Sequence, residues 1–293
     1  MSFAKKSLGQ NFLISPRIVN AIIHAGDLKV GETVLEIGPG KGILTRALLL
    51  AGAHVKAIEK DDRLIPFLAE KFKREISLGK LELIHGDVMA PGHEISSSLR
   101  GTLQSRFPPT RERISHAQGP HKYKVIANIP YYITGAVIRN FLSAENKPQL
   151  MVMMVQKEVA DRIIARDGKQ SILSLSVKAH ATPSLVMNVS RGNFFPVPNV
   201  DSAVIKLSNI QNPFVDENGM PDKITEDRFF EIIKTGFAQK RKKLISNLEK
   251  VMPVALKEKP KEKLKTLFEK LGLEENIRAE DVPLQTWLKI SKI

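Results

Sequence analysis

Short apolar runs recur at 34–37, 55–58, 81–84, 125–127 and 150–155, and the stretches between them repeat their apolar residues every three or four positions, as in Ile43–Leu50. Runs of that length read as buried strands, and the intervening periodicity reads as helix. Strands alternating with helices predict an α/β fold with a parallel sheet covered by helices. Two later runs, 184–189 and 202–207, flank the proline-containing stretch 194–199 and are expected to close the sheet as a hairpin. Pro213, Gly219 and Pro221 break the pattern over 211–222. From Thr225 onward it is helical again, with Phe237, Leu244, Leu248 and Val251 near one face. The expected organisation is an α/β domain over 1–210, a linker over 211–224 and a small helical domain over 225–293.

The first run ends in the sequence from Val34 to Gly42, VLEIGPGKG, followed directly by a helical pattern. A strand, a tight glycine turn and a helix start let backbone approach a ligand closely and offer it free N–H groups. The spacing ExGxGxG differs from the GxGxxG of pyrophosphate binders, which argues against a dinucleotide. The second run ends in Glu59, where a carboxylate can take both hydroxyls of a ribose, and the third ends in Gly86-Asp87. Acidic residues at successive strand ends beside a glycine loop suit a neutral or cationic nucleoside, and S-adenosylmethionine is such a ligand.

The fourth run ends in Asn128-Ile129-Pro130-Tyr131. An adenine N6 amine is a poor nucleophile while its lone pair is delocalised into the ring. The Asn128 side-chain oxygen can accept one N6 hydrogen, and a carbonyl at Ile129 or Pro130 the other. Proline fixes its own φ and restrains the preceding residue, so those carbonyls are aimed in advance. Tyr131 offers a ring for a flipped base to stack on. Asn and Pro are also ordinary turn residues, so the tetrapeptide gains its meaning from the glycine loop and the two carboxylates upstream.

Composition narrows the partner. Lys and Arg number 45 against 31 Asp and Glu, a formal charge of +14, which points to a polyanion and most simply to RNA. The absence of cysteine excludes disulfides, thiol catalysis and Cys-ligated metal, and fits a reducing cytoplasm. His24, His54, His85, His93, His116, His121 and His180 lack close zinc-ligand spacing, so no metal is expected. No apolar run approaches membrane-spanning length, and the basic residues 1–10 are not followed by a signal-peptide core.

Ordered motifs along nearly the whole chain carry a resemblance: KSLGQNFL from Lys6 to Leu13, LEIGPGKG, Glu59, Gly86-Asp87, NIPYYIT, FFPVPNVDSAV from Phe194 to Val204, and FAQKRKKLISNL from Phe237 to Leu248. The chain resembles the ribosomal RNA adenine dimethyltransferases, and within them the bacterial enzymes that dimethylate two adjacent adenines near the end of small-subunit rRNA. The resemblance implies a Rossmann-like methyltransferase sheet with a C-terminal helical RNA-binding domain. It implies S-adenosylmethionine as cofactor, held by Asn11, Leu13, Gly38, Glu59, Asp87 and Asn128. It also implies that Asn128, Pro130 and Tyr131 carry the chemistry and that one phenylalanine of the 194–198 loop packs on the adenine face opposite Tyr131. Phe195 is favoured, because Pro196 stiffens the chain immediately after it, although a pair of Phe residues is more often core. The implied partner is the small ribosomal subunit with its rRNA, and a cytoplasmic monomer is expected.

Two segments keep two readings. The run Lys240-Arg241-Lys242-Lys243, which the resemblance puts at the start of the small helical domain, is read as partly RNA-facing and partly structural, with a merely solvated helix face as the alternative. Residues 95–124 depart from the family pattern by their length, with Arg100, Arg106, Arg111, Arg113, Lys122 and Lys124 against Glu112 alone. A surface loop disordered without RNA is expected there, with RNA contact as the second reading. Other functions that share the tetrapeptide or fold are a large-subunit rRNA methyltransferase of the macrolide-resistance type, a DNA or protein-glutamine methyltransferase and a mitochondrial transcription-factor relative. From a different class, a ribosome-assembly factor is also consistent with the sequence. The FPxPxVDS loop and the basic segment near Phe237 favour the small-subunit enzyme.

Overall fold

The five apolar runs are strands. In the computed structural model, which describes residues 10–89, 122–249 and 260–292, they are β2 (Thr33–Ile37), β3 (His54–Glu59), β4 (Leu81–His85), β5 (Tyr123–Asn128) and β6 (Leu150–Gln156). A short β1 (Phe12–Leu13) precedes them, and β7 (Thr182–Val189), β8 (Phe194–Phe195) and β9 (Ser202–Ser208) follow. The main sheet has the order β4-β3-β2-β5-β6-β9-β7, parallel from β4 to β6, with β9 antiparallel to β6. β7 and β9 are neighbours at one edge, as the hairpin expectation has it. Chain order reverses between β2 and β5, so a crevice opens at the carboxyl ends of those strands, the usual ligand position in such sheets.

The chain divides into two units, Met1–Ala160 with Ser184–Ile210, and Asp161–Pro183 with Gln211–Ile293. In the first, the helix Pro16–Gly26 begins on a proline and turns Ile18, Val19 and Ile22 inward. With Val34, Leu48, Val55, Leu68, Ile126, Val152 and Phe194 they form one core.

The second unit differs from the expected organisation. The helix Ile172–His180, read from sequence as part of the α/β domain, places Leu175 and Ala179 in a core with Phe229, Ile233, Leu244, Phe268 and Trp287. Lys169 reaches Glu280 and Asp281 at 3.0 and 2.7 Å within the same unit. The stretch expected as a linker is packed as well: Phe214 is buried against Phe229, and Val215 bridges Pro221. Asp222 caps the helix Lys223–Gly236 by accepting from Thr225 N–H at 3.0 Å. Three-to-four periodicity cannot say which core a helix joins, and here that depends on Leu175, Ala179 and the aromatic residues they meet.

Most of the basic insertion, and Lys6 to Gly9 of the first family motif, lie outside the described residues. Tyr123 and Lys124, counted in the insertion, are the first residues of β5. Lys124 Nζ is held by Asp27 O at 2.6 Å and Glu32 Oε2 at 2.7 Å.

Candidate functional site

Four strand ends enclose one cavity of about 260 Å³, lined by Glu36 to Lys41 after β2, Glu59 and Lys60 at the end of β3, Gly86 to Met89 after β4, and Asn128 to Ile133 after β5. Gln10, Asn11, Phe12 and Leu13 form another part of the wall, with Ile43, Leu44 and Ile58. All six cofactor residues expected from the resemblance, Asn11, Leu13, Gly38, Glu59, Asp87 and Asn128, therefore meet around one space. Two glycines make the loop. Gly40 and Gly42 have φ of 58° and 75°, where an L side chain is strained, and an added Cβ would lie 3.0 Å from Phe12 and 2.5 Å from Phe72 respectively.

The charged residues are arranged by backbone amides and by burial. Glu59 accepts from Asp61 N–H at 2.8 Å and from Gly40 N–H at 3.1 Å. Burial nonetheless pushes its pKa up, against the pull of those amides. Asp61 behaves oppositely: hydrogen bonds from Arg63 hold its carboxyl well below the usual range despite burial, with Gln10 Nε2 adding another at 2.8 Å. Asp87 Oδ1 accepts from Met89 N–H at 2.9 Å, and its Oδ2 lies 2.7 Å from Lys60 Nζ.

Glu36, at the end of β2, is the least expected member. Only 1 % exposed, it is pushed by burial to a pKa of about 8, partly offset by the neighbouring Thr45, and its Oε2 has no partner in hydrogen-bonding geometry. Two buried carboxyls on adjacent strand ends, one with an unmet oxygen, fit a cationic nucleoside that brings donors of its own. At Gly38 the wall is open, since an added Cβ would approach nothing closer than Asn128 O at 3.9 Å.

Burial of Glu36 has a consequence for stability. Its folded pKa is above its unfolded value, so the unfolded chain binds fewer protons between about pH 4.5 and 8. Stability of the cofactor-free protein should therefore fall as pH rises through that window, by about 1.4 kcal/mol per unit of separation. Thermal melts across pH 5–9 check this, and Glu36→Gln should flatten the dependence; equal slopes in the two proteins would assign it elsewhere.

Asn128 is the last residue of β5, in register with Met154 of β6. The turn after it is a 3-10 helix, Tyr131–Ile133, in which Pro130 O accepts from Ile133 N–H at 3.2 Å. Of the two carbonyls considered for the amine, that of Pro130 thus already carries one bond. Tyr131 is fixed through its hydroxyl, 2.6 Å from Ser202 Oγ on β9, and burial raises its pKa. The two phenylalanines of the later loop separate cleanly: Phe194 is core, whereas Phe195 is 56 % exposed. β1 pairs antiparallel with β8, setting Phe195 opposite Phe12 of the cavity wall. Lys240, Arg241, Lys242 and Lys243 are all exposed, but they occupy a turn between the helices Lys223–Gly236 and Leu244–Leu248. The solvated-helix reading of that run is corrected accordingly.

The profile of the ribosomal RNA adenine dimethylase family matches residues 1–293. The chain belongs to that family. Proteins named ribosomal RNA small subunit methyltransferase A are similar over almost the whole chain. The one from Dehalococcoides mccartyi is 38% identical over 284 residues, 97% of this chain and 86% of its own length. That from Geobacillus thermodenitrificans is 35% identical over 289 residues, 98% and 89% respectively. Among solved structures, a dimethyladenosine transferase from Plasmodium falciparum superposes with a TM-score of 0.69 at 27% identity, covering 95% of each chain. The 23S rRNA methyltransferase ErmE gives 0.68 at 24% identity, covering 96% of this chain and 98% of its own, a likeness of fold.

The family member described here is accordingly a methyltransferase with a Rossmann-like sheet and S-adenosylmethionine as cofactor. Several residues of its site escaped the sequence reading. Glu36 stood within the glycine motif, and its depth in the sheet was the missing signal. Gln10, Lys60 and Ser202 act through contacts with Asp61, Asp87 and Tyr131, residues distant or differently placed in sequence.

Proposed function

We propose that this protein is an S-adenosylmethionine-dependent N6,N6-dimethyltransferase of two adjacent adenines near the 3′ end of small-subunit rRNA, acting in the cytoplasm during subunit assembly. The observation that carries this reading is the Asn128–Tyr131 turn opening into the cavity that Glu59 and Asp87 also line. Glu59 and Asp87 would hold the ribose and base of the cofactor, with Asn11, Leu13 and Gly38 along the rest of it. The cofactor supplies an electrophilic sulfonium methyl.

The chain's own residues prepare the adenine. Asn128 accepts one N6 hydrogen and keeps the lone pair from delocalising into the ring, while a carbonyl of Ile129 or Pro130 takes the other. Tyr131, held by Ser202, stacks on one face of the base, and Phe195 covers the opposite face. Such positioning accounts for most of the acceleration when the leaving group is already good. Asn128 has no basic atom to take the surplus proton, which passes to water. A second methylation requires only that the monomethylated amine keep one hydrogen for Asn128.

Relatives matched over almost the whole of this chain bear the small-subunit name, which favours that substrate over the large-subunit alternative. Labelled methyl transfer to unmethylated small subunits, large subunits, naked rRNA and DNA is the test. Dimethyladenosine at two neighbouring positions near the 3′ end of small-subunit rRNA is the expected product. Label at a single adenine of large-subunit rRNA would replace this reading by the macrolide-resistance type.

A further inference from the structure

Lys60 lies at the junction of two expected ligands. It lines the cavity beside Asp87, and its side chain is 52% exposed where that of Asp87 is 32% exposed. Its ammonium sits 2.7 Å from Asp87 Oδ2, while the other Asp87 oxygen accepts from Met89 N–H. Tyr132, 62% exposed, lines the same cavity wall. A cofactor whose donors engage Asp87 must share or displace that ammonium. Exposed ion pairs of this kind contribute little and open at small cost.

We propose that Lys60 couples cofactor occupancy to RNA binding: donors of the bound cofactor take over Asp87, and the displaced ammonium binds a phosphodiester of the substrate RNA. Without cofactor, Asp87 neutralises Lys60 and that phosphate contact is missing. With cofactor, one more cation faces the polyanion, next to an exposed aromatic ring on which an unpaired base can stack. The loaded enzyme therefore holds RNA more firmly than the empty one. The inference rests on the proposed function, since it needs both ligands.

Binding of a fluorescent small-subunit rRNA fragment, measured by anisotropy from 50 to 300 mM salt with and without saturating S-adenosylhomocysteine, tests it. Each phosphate contact to single-stranded RNA adds about 0.7 to the slope of log affinity against log salt. Wild type should steepen by about that amount when S-adenosylhomocysteine is present. Lys60→Met should show one slope in both conditions, and Asp87→Asn should show the steeper slope without any cofactor. Equal wild-type slopes under demonstrated saturation, or a steepening that survives in Lys60→Met, would overturn the coupling. Failure of wild type to bind either ligand would instead remove the functional reading beneath it. Lys60 is exposed, so circular dichroism of Lys60→Met should match wild type and keep the comparison valid.

Discussion

Single-turnover methyl transfer by Asn128→Ala, at saturating RNA and cofactor, is expected to fall by about 10²–10³-fold, the usual cost of deleting one preorganised hydrogen-bonding group from a reacting centre. Affinity for S-adenosylhomocysteine should change less than tenfold, because the Glu59 and Asp87 carboxylates and the glycine loop remain. Asn128 ends β5 and is paired in register with Met154, so its backbone is fixed by the sheet and truncation of the side chain should leave the turn in place. Tyr131→Phe separates stacking from anchoring. It keeps the ring and loses only the 2.6 Å hydrogen bond with Ser202 Oγ, so its decrease should stay below tenfold, whereas Tyr131→Ala should approach Asn128→Ala. A wild-type rate in Asn128→Ala would remove Asn128 from the chemistry, and a cofactor affinity that falls in parallel would make it a binding residue only.

The strand ends were legible in the sequence because a parallel sheet imposes its own punctuation. Each buried strand is a short apolar run, and the polar residue at or just after its end, Glu59, Asp87 or Asn128, faces the crevice whatever the connecting helices do. Pairing between β1 and β8 was not legible. Two-residue strands so far apart in sequence carry no periodicity, and only the resemblance, through Asn11, Leu13 and Phe195, implied that both border the site. Membership of the helix Ile172–His180 in the second unit was hidden for a related reason, since an amphipathic pattern reports a buried face and not the partner it buries against. The fixing of Tyr131 by Ser202, and of Asp87 by Lys60, depends on side chains from different strand ends. Spacing along the chain does not encode such pairings.

Replacing Lys240, Arg241, Lys242 and Lys243 together by Ser should weaken RNA binding and flatten its salt dependence by up to about 3 in the log–log slope, at about 0.7 for each phosphate no longer neutralised. The four side chains are exposed and make the turn a cluster of like charge, which is a destabilising arrangement unless a polyanion receives it. The turn itself does not depend on them. Asn247 Nδ2 donates to Gly236 O at 2.7 Å and to Gln239 O at 3.2 Å, and Leu244 N–H donates to Ile277 O at 2.9 Å. Beneath it, Phe237 stacks on the fully buried Trp287 at 5.8 Å. A folded variant with normal circular dichroism and unchanged S-adenosylhomocysteine affinity is therefore expected, so that any loss of RNA affinity belongs to the charges. Anisotropy titrations over the same salt range give the number. A slope unchanged from wild type would mean that the turn is merely solvated, and a decrease of only about 0.7 would assign a single phosphate to it. The size of the change thus gives the number of phosphates that the turn engages, and it is independent of the increment at Lys60 because only the latter responds to cofactor.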